Sequence, residues 1–219
     1  MAKDNGIKTK RIRSATTGIN HLFPLFLKME EMQILIVGAG SVGLEKLQAL
    51  VQNSPATKIL IVAEQISGAV NKLAKHYPGV RLEERTFERK DLAGKDIVII
   101  AVNDKATSRY IRDLAKKEKI WVNVADTPGL CDFYLGSIVR KGNLKIAIST
   151  NGKSPTVAKR LKEVLQKLLP DELDSVINHL HIIRTSLHGD FDLKVKKLDA
   201  ITRMLVDKQE LEICENESA

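Results

Sequence analysis

Three glycines and one carboxylate offer the clearest chemistry in this 219-residue chain. Gly38, Gly40 and Gly43 stand in the run Gly38-Ala39-Gly40-Ser41-Val42-Gly43, directly after the apolar stretch from Gln33 to Val37. The first glycine of such a run lets the chain turn sharply out of a strand. The second lets a pyrophosphate approach the backbone, and the third lets a helix pack closely on the strand, with the free N–H groups of its first turn facing the phosphates. Glu64 follows about 20 residues after Gly43, where an acid accepts hydrogen bonds from the adenosine ribose hydroxyls and repels a 2′-phosphate. That combination points to a dinucleotide and favours NAD over NADP. The plainer alternative is a glycine turn that binds nothing.

Asp126 is the carboxylate best placed for reaction chemistry. It precedes Thr127-Pro128-Gly129 at the end of an apolar strand, where a side chain projects from a sheet edge. A carboxylate beside a nicotinamide can act as general base or stabilise a developing cation. The alternative is an Asx turn bonding its own backbone before Pro128. Asn103 and Asp104 end another strand, and either face the nicotinamide half of the cofactor or cap the next helix. The run Ser149-Thr150-Asn151-Gly152-Lys153-Ser154 enters a helix at Pro155, and its N–H groups, hydroxyls and lysine suit carboxylates or phosphate. Arg140, Lys141, Lys159, Arg160 and Lys162 add positive charge in the flanking sequence, each also readable as a solvated surface cation. The five histidines form no ligand cluster, Ser149 and Thr150 lack an evident His/Asp partner, and no metal site is expected.

Stepping from these residues to the elements that position them, strands and helices alternate. Strands are expected over 32–37, 58–62, 81–87, 96–102 and 120–125, and helices over 42–52, 67–76 and 106–117, with Ser67 an N-cap. The near-continuous apolar run from Ile97 to Val102 suits a central parallel strand buried on both faces. This is the pattern of an α/β, Rossmann-type domain with ligands at the carboxyl ends of its strands. The patch Leu22 to Leu27 is expected as a short leading strand. After Gly129 the pattern changes to a hairpin, 134–139 with 144–149, joined through 140–143. A helix follows from Pro155 to Leu169, with Ser154 as N-cap, and then helices over about 171–187 and 191–206. The expected domains are a basic flexible tail over 1–19, a Rossmann domain over 20–128, a small β/α dimerisation segment over 129–168 and a helical domain over 169–219. A hairpin with so few core residues needs completion by a second chain, so a homodimer is expected.

Composition narrows the class. The net charge is +8, and the first 20 residues hold five bases against one acid, half of that excess. With no aromatic interleaved, a solvated tail is read there rather than a nucleic-acid arm. No apolar run reaches the roughly 20 residues of a membrane span, and the basic N-terminus lacks a signal-peptide core. Cys131 and Cys214 lie far apart without metal-ligand spacing, as in a reduced, cytoplasmic protein.

The residues also resemble a known family. The stretches FPLFL (23–27), ILIVGAGSVGLEKLQALV (34–51), IIAVNDKATSRYI (99–111) and VNVADTPGLCDFYLGSIVRKGNLKIAISTNGKSPTVAKRLKEVLQKLLP (122–170) are similar to the precorrin-2 dehydrogenase/sirohydrochlorin ferrochelatase family, the NAD-dependent module of sirohaem synthesis. The resemblance implies an intertwined homodimer that oxidises precorrin-2 to sirohydrochlorin with NAD. In many members Fe²⁺ insertion follows. The family's essential aspartate falls on Asp126, its NAD contacts on Ser41, Val42, Glu64 and Gln65, and its Ser/Thr-rich loop on 149–155. Gly43 stands where members often have alanine, Thr150 where some have serine, and Gly136 where a proline is common, which is expected to loosen that strand. The methyltransferase domain fused in some relatives is not seen, so another protein is expected to supply precorrin-2. Two alternatives remain, a chelatase that keeps the glycine loop as scaffold and a non-enzymatic NAD-sensing module. The intact block 122–155 argues against the sensor.

Overall fold

The computed structural model describes residues 19–186 and 195–203. The basic tail over 1–18, residues 187–194 and everything from 204 onward, Cys214 included, lie outside the described residues.

The chain divides into two units. The first comprises the described residues through Leu135 together with Thr150–Ser154. It holds five parallel strands, β1 (Gln33–Ala39), β2 (Lys58–Ile66), β3 (Val80–Glu84), β4 (Ile97–Ile100) and β5 (Trp121–Val124), in the spatial order β3-β2-β1-β4-β5. Helices α1 (Ser41–Asn53), α2 (Gly68–Ala74) and α3 (Lys105–Lys117) make the crossovers. Side chains alternate along each strand, so both faces of the sheet need cover. Ile34 and Ile36 of β1 join Leu47, Leu50 and Val51 of α1 and Val70 of α2 in one cluster. Leu35 and Val37 join Ile111 and Ala115 of α3 in the other. All four residues of β4 are fully buried, as expected of an interior strand of a sheet covered on both faces. Strand order reverses between β1 and β4, and in open parallel sheets the crevice outside the strand ends at that point is where ligands bind.

The expected α/β alternation is present, with several bounds shifted; among them, the hairpin's first strand lies over Ser137–Lys141, so Arg140 and Lys141 are in it and not in the turn. Leu22 to Leu27 form no strand. Pro24 lacks an N–H for a ladder and no sheet edge accepts the segment. Phe23 and Phe26 are exposed, while Leu27 and Met29 pack on the core. Strand β2 runs past the expected end at 62 to Ile66, so Glu64 lies within it. Val37 pairs with Val62 and Ala39 with Ile66, so the ladder is irregular opposite Gly38. The first unit also runs beyond 128, because Phe133 and Leu135 pack on the sheet's core.

The second unit holds Gly136–Ser149 and the chain from Pro155. Strands β6 (Ser137–Lys141) and β7 (Leu144–Ile148) form an antiparallel hairpin. Gly142, at φ 54°, supplies the left-handed residue of its two-residue turn. Helix α4 (Pro155–Leu168) stops before Pro170, and α5 (Leu173–Ser186) follows. Residues 195–203 are helical. The hairpin tip is clasped to α5, where the Asp174 carboxylate accepts from the Asn143 backbone N–H at 2.6 Å and from its side-chain amide at 2.9 Å. At Gly136 an added Cβ would lie 2.8 Å from the Ile148 carbonyl oxygen, so glycine allows a close approach.

Candidate functional site

The three glycines of the β1–α1 turn do different jobs. Gly38 has φ 105°, and an added Cβ would lie 2.3 Å from the Ala101 carbonyl oxygen at the end of β4. At Gly43 the added Cβ would lie 2.2 Å from the Gly38 carbonyl oxygen, so alanine does not fit this backbone unshifted. Those two glycines are required by the protein's own packing. Gly40 is not, because an added Cβ there meets nothing within 4 Å. Its open side is the space a pyrophosphate needs for close approach. Helix α1 begins directly after it with no side-chain cap, whereas α2 is capped by Ser67 and α3 by Asp104. The N–H groups of Ser41 and Val42 therefore lie in an uncapped first turn, as phosphate binding requires. The site fits a dinucleotide.

Its neighbours follow from strand order. The carboxyl ends of β2, β1, β4 and β5 lie side by side, about 4.8 Å apart per strand. A ligand laid along this edge would meet Glu64 and Gln65, then the glycine turn, then Asn103, then Asp126. Glu64, Gln65, Asn103 and Asp126 are all exposed. Asp104 takes the second of its two expected roles. Its carboxylate accepts from the Thr107 backbone N–H at 2.6 Å, and the Thr107 side chain, with that backbone bond, holds its pKa below the ordinary carboxylate value.

Asp126 sits one residue beyond the Ala125 N–H, which donates to Ile100 O at 2.9 Å and extends the β4–β5 pairing. Its φ is 55°, a left-handed conformation that aspartate adopts more readily than most residues. Its carboxylate carries no hydrogen bond or ion pair among the described residues, so it is not the Asx turn that the sequence left open. The turn is closed instead by Thr127, whose N–H donates to Val124 O at 3.3 Å.

Sequence reasoning missed what holds this turn. β5 is an edge strand, and the returning segment Cys131–Phe133 covers its open side. The Val122 N–H donates to the Asp132 carboxylate at 3.0 Å, and the Asp132 N–H donates back to Val122 O at 2.8 Å. The Val124 N–H donates to Cys131 Sγ at 3.2 Å, and the buried Asn123 amide donates to Phe133 O at 2.8 Å. The signal was available in the alternation of the strand. Val122 and Val124 point their N–H groups away from β4, and some acceptor has to meet them.

The loop Ser149–Ser154 is compact. Asn151 and Gly152 have φ 54° and 72°. The Thr150 hydroxyl accepts from the Ser154 N–H at 3.2 Å and donates to Ser154 O at 3.0 Å, so it closes the loop instead of facing a ligand. Gly152 and Lys153 are exposed. Two of the expected anion-binding cations are engaged, Lys141 with Asp171 and Arg160 with Glu163. No cluster of three metal-ligating side chains occurs among the described residues. No described helix is long and apolar enough to cross a membrane.

Comparison with known proteins agrees with this geometry. The family described as "Putative NAD(P)-binding" matches residues 25–137. The family "Sirohaem biosynthesis protein central" matches residues 141–168. A sirohaem synthase of Nitrosomonas eutropha is 34% identical over 148 residues, covering 68% of this chain and 31% of the relative. One of Pseudoalteromonas atlantica is 31% identical over 175 residues, covering 80% of this chain and 37% of the relative. The chain thus spans about a third of the length of these curated relatives. Among solved structures, the precorrin-2 dehydrogenase SirC matches with a TM-score of 0.67 at 22% identity, over 90% of this chain and all of that one, a likeness of fold.

Proposed function

This chain belongs to the family described as "Putative NAD(P)-binding", followed by a segment that matches "Sirohaem biosynthesis protein central", and from that premise we propose that it oxidises precorrin-2 to sirohydrochlorin with NAD as hydride acceptor. One observation carries the reading. The open glycine turn lies on a sheet edge between an exposed acid on β2 and an unpaired carboxylate on the turn after β5. In the reaction precorrin-2 loses two hydrogens, one as hydride and one as a proton, and NAD leaves as NADH. The nicotinamide, when bound, supplies the hydride acceptor. Gly38 shapes the turn, Gly40 and the first turn of α1 hold the pyrophosphate, and Ser41 and Val42 offer the N–H groups. Glu64 and Gln65 bind the adenosine ribose, and Asn103 borders the nicotinamide half. Asp126 takes the proton or orients the ring. The loop Ser149–Ser154 binds substrate carboxylates through its exposed backbone at Asn151–Lys153 and through Lys153. Following sirohydrochlorin formation from precorrin-2 with and without NAD tests the reading, and turnover indifferent to NAD would overturn it.

Glu64 sets the choice of dinucleotide. Replacing Glu64 with Ser removes the charge that repels a 2′-phosphate. The expected result is weaker NAD binding and a shift toward NADP of roughly tenfold, about one charge-assisted hydrogen bond. An unchanged NAD/NADP ratio in competitive titration would show that Glu64 does not face the ribose.

Iron insertion is the further step implied for this family. Fe²⁺ enters as a substrate, and Asp126 is the carboxylate available to accept pyrrole protons. Supplying Fe²⁺ to sirohydrochlorin without NAD reads this step separately, and no sirohaem above the protein-free rate would remove it.

A homodimer is supported by α4. Val157, Leu161, Val164 and Leu168 recur at helical spacing on one face and are 49, 45, 50 and 70% exposed. Such a stripe is the seam of a helix that packs on another copy. The double change Leu161→Glu with Val164→Glu is expected to convert a sedimenting dimer to monomer. A monomeric unaltered chain would contradict the assignment.

A further inference from the structure

The geometry points to the segment Cys131–Asp132 as a strap that positions Asp126 for reaction, with the Cys131 thiol as its key positioning group. This rests on the reading of Asp126 given above and deepens it.

The bonds bracket the aspartate on both sides. Cys131 Sγ accepts from the Val124 N–H at 3.2 Å and lies 3.2 Å from Val124 O, two residues before Asp126. It lies 3.5 Å from Thr127 O, one residue after. The short helical turn Pro128–Leu130 brings the thiol back to this place, with the Cys131 N–H donating to Pro128 O at 3.1 Å. Asp132 anchors the far end of the strap. One carboxylate oxygen accepts from the Val122 N–H and the other from Lys116 of α3 at 2.8 Å. Every bond belongs to the first unit.

This arrangement does something a simple edge cover would not. A left-handed residue is stable only when its flanking peptides are fixed, because the extended alternative is open to it. The peptide after Asp126 is fixed by the Thr127 N–H on Val124 O, and that carbonyl and Thr127 O, one peptide further on, both meet one sulfur. A thiol can donate and accept at once, which this position requires. Burial raises the Cys131 pKa above its ordinary value and keeps the donor proton in place at neutral pH. Asp126 itself is held by nothing through its side chain, so its direction is set by the backbone alone.

The test measures NAD-dependent precorrin-2 oxidation and NAD affinity in four proteins: Cys131→Ala, Cys131→Ser, Asp126→Ala and the double variant Cys131→Ala/Asp126→Ala. Cys131→Ala is expected to lower kcat by roughly 10- to 100-fold, the effect of misplacing a reacting group by a fraction of a bond length or more. NAD affinity should stay unchanged, and Cys131→Ser, whose hydroxyl donates and accepts at the same place, should recover most of the rate. In the Asp126→Ala background, removing the thiol should cost nothing further. A folded Cys131→Ala protein with full kcat, or an equal loss with and without Asp126, would overturn the strap while leaving the Asp126 reading intact. Full activity of Asp126→Ala alone would overturn that reading first. Should alanine leave an unfolded chain, Cys131→Val fills the space without a hydrogen bond and must show the same kcat loss.

Discussion

Asp126→Ala is expected to lower sirohydrochlorin formation by about 100- to 10,000-fold, the usual contribution of a positioned general base, while NAD binds as before. The side chain has no structural duty that would confuse the outcome, being exposed and without a hydrogen bond or ion pair among the described residues. Its φ of 55° is the one reason for caution in choosing a control, because alanine tolerates that conformation less well than aspartate. Asp126→Asn is the better matched change, since asparagine adopts the same backbone and lacks only the proton-accepting charge. Both variants should show the same loss of kcat, with the thermal stability of the asparagine variant close to that of the parent and that of the alanine variant lower by about 1–2 kcal/mol. Full turnover in the asparagine variant would show that the proton leaves by another group.

The second large effect separates the glycines. Gly40→Val should fold normally, since a side chain there enters open space, and should lose dinucleotide affinity by roughly 10- to 100-fold as phosphate contacts worth about 1.5–3 kcal/mol are blocked. Gly38→Ala should do the reverse damage. At φ 105°, with the Ala101 carbonyl oxygen 2.3 Å from the new Cβ, the substitution combines backbone strain and overpacking worth about 2–4 kcal/mol together. Thermal unfolding and NAD titration of both variants read the split. Equal destabilisation by both changes would mean that Gly40 serves packing, and the site would lose its principal support.

These expectations show which features a linear reading reaches. The glycine turn, the alternation of strands and helices, and the place of Asp126 at a strand end are local patterns, since each depends on residue types within a few positions. The turn chemistry around Asp126 is not local. The turn is closed by the Thr127 N–H on Val124 O, and Cys131 and Asp132 fold back along β5 beside it, a return that nothing near Asp126 in the sequence requires. Cys131 read alone is an ordinary reduced thiol, and its role appears only against the outward N–H of Val124. The misreading of Leu22–Leu27 has the opposite origin. Apolar composition suggests a strand, but Pro24 lacks an N–H for a ladder and most of the segment is exposed. The end of β2 was misplaced because the irregular pairing opposite Gly38 lengthens that strand without any break in its own sequence. At Asp104 the residue type allowed two roles, and the N–H of Thr107 took the carboxylate as a helix cap.

One measurement tests NAD-dependent oxidation by this chain most directly. Precorrin-2 is incubated with the purified chain, with NAD added or withheld, and sirohydrochlorin and NADH are followed together. The account predicts that both appear only when NAD is present, in equal amounts, and that Asp126→Asn stops both. Sirohydrochlorin formed without NAD, or no sirohydrochlorin at all from a folded chain that binds NAD, would contradict it.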